Sequence, residues 1–281
     1  MKVHLDCFPC FLRQSIIALR LATEDEAVQE AVLKGTLEFI QNADVSKSPA
    51  HTTTFIHRRI REMLGKDPFE SIKSQYNRIA LDLYPSMRDI LAESADPLET
   101  SARLAIAGNI IDFGIFTSID IEGTVDRALK TSPAVNDYSA FRDAVSDTEE
   151  VLYLLDNAGE IVFDRLLIEC LAGLGKKVKA VVKGAPVIND STIVDAEESG
   201  LTRICEVIQN GSDAVGTILP WTSSEFQRDF EKAQLIISKG QGNFETLAGT
   251  DKNIFFLFQS KCHVVSNDLG LARGAMLLRK S

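Results

Sequence analysis

Between Asp6 and about Lys130 the apolar residues recur every three or four positions, and the breaks between runs carry helix-start residues instead of hairpin turns. The first half of the chain is therefore predicted to be helical throughout. Thr23 with Glu26 fits a capping box ahead of AVQEAVLKGTLEFI, and Asp67, Pro68 and Glu70 supply a cap, a first-turn proline and a reciprocal acid for the next long helix. SARLAIAGNIIDFGIF keeps the helical spacing through Ile111, lies around Gly108 and Gly114, and puts Asn109 and Asp112 on one face. After Tyr138 the period changes. VLYLL, KVKAVVKG, ICEVIQ, AQLIIS, NIFFLF and CHVVS are short β-branched or apolar runs separated by amphipathic helices, which implies βαβ units and a parallel sheet covered on both faces. The expected fold is α/β: a helical N-terminal domain, residues 1–135, packed on a doubly wound, mainly parallel α/β metal-binding domain, residues 136–281, with the boundary inside 131–148.

Composition narrows the function. The 281 residues are 45% hydrophobic and 25% charged, as in a globular protein with a sizeable core. Forty Asp plus Glu against thirty Lys plus Arg leave a net charge of -10, which disfavours a nucleic-acid partner. No stretch approaches the roughly 18 apolar residues of a membrane span, and Lys2, His4, Asp6 and Arg13 interrupt any secretory signal, so no membrane partner and a cytoplasmic location are expected. Cys7, Cys10, Cys170, Cys205 and Cys262 are odd in number and scattered, unlike a secreted disulfide framework. Nothing in the pattern sets an oligomeric state.

Ligands of open α/β sheets bind beyond the carboxyl ends of the strands, so the residues that follow each strand are the candidates. VLYLL leads into Asp156, Asn157, Ala158, Gly159 and Glu160; KVKAVVKG into Ala185 through Thr192, including Asn189 and Asp190; AQLIIS into Lys239, Gly240, Gln241, Gly242 and Asn243. Two Asp carboxylates and an Asn carbonyl form an all-oxygen set suited to a hard divalent cation such as Mg²⁺ or Mn²⁺, which can bridge phosphate oxygens and activate water. Lys239 then supplies a positive charge for the phosphate, the Gly159 turn with its helix N-terminus supplies N–H donors, and Gly240 lets backbone approach a ligand. Asn109 and Asp112 are expected to face the same cleft, since burying both without a ligand, ion or water is costly; Asp112 is a candidate to orient or deprotonate the attacking water. The competing account makes Asp156 and Asn157 an Asx-type cap, Asp190 or Ser191 the next cap, and Lys239 a solvated charge.

Other chemistries fit less well. A haloacid dehalogenase-type nucleophile wants a second Asp where Ala158 stands, and there is no P-loop, dinucleotide fingerprint or nucleophile elbow. Cys7-Phe8-Pro9-Cys10 lacks the preceding strand of a redox motif, and a zinc site needs further ligands from distant residues such as His4, Cys262 or His263. Two thiols buried at a helix start is the plainer account, a metal or redox role stays open, and Cys7, Cys10 and Cys262 are candidate accessory thiols, since hydrolysis by ion-activated water needs no thiol nucleophile. His51 and His57 lie on an Arg-rich run that reads as a solvated face.

DCFPCFLRQ, AGNIID at 107–112, DNAGE at 156–160, GAPVINDST at 184–192 and SKGQGNFE at 238–245 occur in an order that resembles the metal-dependent damage-control phosphatases, formerly a domain of unknown function, over nearly the whole chain. The N-terminal CxxC resembles the prokaryotic branch. The resemblance implies a divalent ion (Mn, Mg, Co or Ni) between the two halves, held by Asp156, Asn157 and Asp190. It implies hydrolysis of phosphate monoesters, with sugar phosphates or damaged phosphometabolites as the substrate class. It also implies that Asn109, Asp112 and Lys239 face the cleft; Gly159, Glu160 and Gly240, from the strand-end loops, are further substrate-binding candidates, and Asp156, Asp112 and Lys239 are the catalytic ones. Two rival functions stay open at this point: a non-catalytic, metal-dependent binder of phosphometabolites and, with less support, a methyltransferase.

Overall fold

The computed structural model describes residues 1–110 and 121–281. Among the described residues six helices make up the first half: α1 (Cys7–Ala22), α2 (Glu26–Gln41), α3 (Pro49–Leu64), α4 (Glu70–Ala92), α5 (Pro97–Ile110) and α6 (Ile121–Lys130). The rest alternates: β1 (Val135–Asn136), α7 (Tyr138–Asp147), β2 (Glu150–Leu154), α8 (Glu160–Gly173), β3 (Lys177–Val182), α9 (Ile193–Glu198), β4 (Glu206–Gln209), α10 (Ser224–Lys232), β5 (Leu235–Lys239), α11 (Gln241–Leu247), β6 (Ile254–Gln259), α12 (His263–Asp268) and β7 (Met276–Lys280).

The seven strands form one sheet in the order β1-β7-β6-β5-β2-β3-β4. All neighbours are parallel except β6 and β7. The chain runs outward from β2 through β3 to β4, then returns to lay β5 on the other side of β2, so strand order reverses between β2 and β5. A crevice opens at such a switch point, beyond the carboxyl ends of the two strands. Those ends carry Asp156 and Lys239.

Helix α8 is apolar nearly all round, as a helix buried on two sides must be: Ile161, Val162, Phe163, Leu166, Leu167, Ile168 and Leu171 are all solvent-excluded. One side meets the sheet and the other meets α4 and α5. Gly108 permits the approach of α5, because a Cβ there would lie 2.8 Å from the Phe163 Cβ. Residues of α4 and α5 such as Tyr76, Ala80, Leu104 and Ile106 share a core cluster with Tyr153, Ile237 and Leu257 of the sheet. That shared core presses the end of α5, with Asn109, onto the switch point.

Several local expectations are corrected. The cap of α2 is Asp25, whose carboxylate accepts the Ala27 and Val28 N–H groups, and Thr23 instead accepts from the Asp25 N–H. Helix α4 starts at Glu70, with Asp67 holding the Phe69 N–H in the preceding turn. CHVVS is not a strand: Cys262 caps α12, and the final strand is MLLRK, Met276–Lys280. The β-branched pair at Val264 and Val265 favours a strand locally, but the chain must reverse after β6 to enter antiparallel β7, and the short helix makes that reversal while burying Val265. His57 is buried, not solvated, and desolvation beside Arg61 depresses its pKa to about 3. Arg58 and Arg61 both pair with Asp213. Among the described residues no helix is long and apolar enough to cross a membrane.

Candidate active site

Two βα loops meet at the switch point. Asp156 and Asn157 follow β2, Asp190 follows β3, and a single antiparallel bridge joins Asn157 to Asp190. Its bonds run from the Ala158 N–H to the Asn189 carbonyl at 2.8 Å and from the Ser191 N–H to the Asp156 carbonyl at 2.7 Å. Residues 33 or 34 positions apart in sequence thus become neighbours. Neither loop spends its carboxylate on capping: Gly159 is the N-cap of α8 without a side-chain cap, and Thr192 with Asp195 forms the capping box of α9. The competing capping account therefore does not describe these residues.

The acids are crowded. Asn109 from α5 donates through Nδ2 to Asp156 at 3.2 Å and to Glu160 at 3.0 Å, while its Oδ1 accepts the Gln259 N–H at the end of β6. Asn157 Nδ2 lies 2.7 Å from Asp156 Oδ2 and 2.9 Å from Glu160 Oε2. Burial pushes the Asp156 carboxyl well above the ordinary carboxylate range, and the charges of Glu160 and Asp190 push it further; Lys261 and Lys183 oppose them. Burial also raises Asp190, against the pull of Lys183. Asp190 Oδ2 is buried without a hydrogen bond; the Lys183 ammonium is 3.3 Å away as an ion pair and donates to the Gly216 carbonyl. Gly240, at φ 80° and ψ 155°, brings backbone against this cluster: a Cβ there would fall 2.0 Å from Asp156 Oδ2.

These residues fit a hard divalent cation. Buried like charges with an oxygen left unbonded are what such an ion neutralises, and two carboxylates with an amide supply the oxygen donors. Rotation about χ2 exchanges the amide nitrogen and oxygen of Asn157, so the same position can present Oδ1. Among the described residues no three His, Cys, Asp or Glu side chains already form a metal-binding group, so the set depends on that amide as its third donor.

Other candidates have different surroundings from those expected. Lys239 is fully buried; its ammonium donates to Glu160 at 2.5 Å and to the Ala105 carbonyl at 2.9 Å, and pairs with Asp164 at 2.7 Å. Its three donors are taken within the protein, so its charge acts on Glu160 and not directly on a phosphate. Burial raises Glu160, but the Lys239 charge and hydrogen bond outweigh it and hold the carboxylate below its ordinary range. Asp164, with a hydroxyl bond from Tyr153 at 2.8 Å, is raised to about 7 by burial despite Lys239. The Gly159 N–H goes to Asn77 Oδ1 at 2.8 Å and the Gly240 N–H to the Leu257 carbonyl at 3.3 Å, so neither is a spare donor for phosphate. Asp112 lies outside the described residues. Cys7, Cys10 and Cys262 are free thiols, and burial raises both Cys7 and Cys10; they are not among the contacts of Asp156, Asn157 or Asp190.

Lys261 and Lys183 were missed by the sequence reading. Lys261 sits beyond the carboxyl end of β6, lowers the pKa of both Asp156 and Glu160, and has no ion pair among the described residues. Its signal in the sequence is its position just past a strand end, masked by the β-branched CHVVS that follows.

The family described as damage-control phosphatase ARMT1-like domain matches residues 3–277. A protein of Archaeoglobus fulgidus named damage-control phosphatase is 33% identical, over 99% of each chain. Damage-control phosphatase PH1575 of Pyrococcus horikoshii is 33% identical, over 100% of this chain and 99% of that one. An uncharacterised protein of Methanocaldococcus jannaschii is 36% identical, over 100% of this chain and 96% of its own. The crystal structure of the Pyrococcus horikoshii protein, titled a DUF89 family protein, superposes with a TM-score of 0.92 over 100% of this chain and 99% of that chain, at 32% identity.

Proposed function

The chain belongs to the damage-control phosphatase ARMT1-like domain family, and from that premise we propose that it is a metal-dependent phosphatase hydrolysing phosphate monoesters of small metabolites, either sugar phosphates or damaged phosphometabolites. The observation that carries the proposal is the bridged pair of loops, which gathers the carboxylates of Asp156 and Asp190 with the Asn157 amide, the buried Asp190 Oδ2 facing the Lys183 ammonium at 3.3 Å as its counter-charge. These three residues would hold Mn²⁺, Mg²⁺, Co²⁺ or Ni²⁺. When bound, the ion supplies Lewis-acid stabilisation of the charge developing on the phosphoryl oxygens and lowers the pKa of the attacking water.

The protein's own groups do the rest. Among the described residues Lys261, whose charge acts on both Asp156 and Glu160, is a candidate to meet the substrate phosphate, since Lys239 and Lys183 are engaged within the protein. Lys239 holds Glu160 in its charged form, and Asn109, donating to both Glu160 and Asp156, orients the Asp156 carboxylate. Gly240 admits that carboxylate by having no side chain. Asp112 remains the candidate to orient or deprotonate water. The CxxC of Cys7 and Cys10 supports a place in the prokaryotic branch of the family, with the thiols accessory to hydrolysis, and a cytoplasmic setting suits a metabolite phosphatase.

The test is turnover of p-nitrophenyl phosphate by the full chain with each of the four ions in turn. Hydrolysis that a chelator abolishes and Mn²⁺ restores is expected. Hydrolysis at the same rate in chelator would refute the metal dependence, and none with any of the ions would refute phosphomonoester hydrolysis.

A further inference from the structure

Helix α4 reaches both loops of the site. Lys73 and Asn77 lie four residues apart on one face of the helix, and both are buried. Asn77 Oδ1 accepts the Gly159 N–H at 2.8 Å, two residues past Asn157, and its Nδ2 donates to Asp195 Oδ1 at 3.0 Å and to Glu198 Oε2 at 2.8 Å. Lys73 Nζ donates to the Asp190 carbonyl at 3.3 Å and pairs with Asp195 Oδ2 at 2.9 Å. Asp195 also accepts the Thr192 N–H and hydroxyl, each at 2.8 Å. One carboxylate therefore takes up both α4 side chains, and each of those side chains also holds one backbone atom of a different loop.

Stability alone does not call for this arrangement. A buried ammonium, amide and carboxylate hold a fold no better than apolar residues of the same volume. What apolar residues cannot do is fix a peptide N–H and a peptide carbonyl in register. The bridge between the loops lies at Ala158 with Asn189 and at Asp156 with Ser191, which leaves Gly159, at φ 76°, free to turn unless something holds its N–H.

We propose that Lys73, Asn77 and Asp195 are a positioning unit that sets the separation of the Asp156–Asn157 loop from the Asp190 loop, and through it the affinity of the site for its divalent ion. The inference rests on the reading of those loops as a metal site. It makes part of the metal affinity a property of the helical half of the chain, through side chains that touch neither ion nor substrate.

The experiment is Mn²⁺ binding to the full chain, followed by electron paramagnetic resonance of the free ion, for the unmodified protein and for Asn77→Ala, Lys73→Met and Tyr84→Phe. Tyr84 is the control: it lies on the same helix, its hydroxyl donates to Glu169 at 2.5 Å, and it contacts neither loop. Asn77→Ala and Lys73→Met are expected to weaken Mn²⁺ by roughly 10- to 100-fold each. The double variant is expected to lose less than the product of the two, because both act through Asp195. Hydrolysis at saturating Mn²⁺ should recover most of kcat, and Tyr84→Phe should lower Tm with its Mn²⁺ Kd within twofold of the parent. Folded Asn77→Ala and Lys73→Met variants that bind Mn²⁺ as tightly as the parent would overturn the inference and leave the metal site standing. Failure of the parent chain itself to bind Mn²⁺ would overturn both. Asn77→Ser and Lys73→Gln, which keep a polar group in each place, carry the same comparison if the first pair does not fold.

Discussion

Gly240→Ala places the smallest possible side chain at the tightest point of the site. Its Cβ would stand 2.0 Å from Asp156 Oδ2, 2.1 Å from Cγ and 2.5 Å from Oδ1, so the carboxylate must retreat by more than an ångström to reach ordinary van der Waals contact. At φ 80° and ψ 155° the backbone is also in a region almost closed to residues with a Cβ, which costs roughly 1–3 kcal/mol. Two consequences separate. Stability should fall by that backbone cost plus the displacement, giving a Tm lower by several degrees at roughly 2–4 °C per kcal/mol for a chain of this size. Hydrolysis should fall much more, because a misplacement of about 1 Å in a reacting constellation costs on the order of 10²-fold. Gly173→Ala, in open space near the end of α8, is the comparison: it should stabilise by roughly 0.5–1 kcal/mol and leave kinetics unchanged. Thermal melts with p-nitrophenyl phosphate kinetics at saturating Mn²⁺ read both quantities. A Gly240→Ala enzyme with kcat/KM within threefold of the parent would refute the argument that this glycine exists to seat Asp156.

Lys239→Met should leave Glu160 and Asp164 buried without their cation, costing roughly 3–5 kcal/mol of stability and most of the activity together; loss of activity with unchanged Tm would return Lys239 to the phosphate. Joint replacement Cys7→Ser and Cys10→Ser should keep measurable hydrolysis, and a folded but inactive double variant would bring the thiols into the mechanism. Glu245 is raised from 4.5 to about 7 by burial, against a Gln241 hydrogen bond of 2.8 Å. The native state thus favours its protonated form: the contribution to stability is complete below pH 4.5 and is lost as pH rises through about 7. Glu245→Gln should accordingly gain on the parent by roughly 1–3 kcal/mol between pH 5 and pH 8 in denaturant titrations, and a constant difference across that range would contradict the assignment.

How much of this was legible in the sequence follows from the range of the forces involved. The change of period near Tyr138 and the three loops after VLYLL, KVKAVVKG and AQLIIS were readable, because burial patterns and strand ends are written locally. The gathering of Asp156, Asn157 and Asp190 followed from the parallel sheet alone. The partners of Lys239 were not readable, since a strand-end lysine looks the same whether it meets water or two buried acids contributed by α8. Asn77 and Lys73 were invisible for a related reason: each sits at ordinary helical spacing, and only the packing of α4 beside the sheet shows what their polar ends hold. CHVVS misled because β-branched residues favour a strand locally, whereas the antiparallel return into β7 demanded a turn.

The most direct test of the account is to locate the ion. A crystal of the full chain grown with Mn²⁺ and measured for anomalous scattering should show one strong peak with Asp156, Asn157 and Asp190 oxygens at roughly 2.0–2.3 Å. No peak there, or a peak at the Cys7, Cys10 and Cys262 thiols instead, would contradict the assignment of the site.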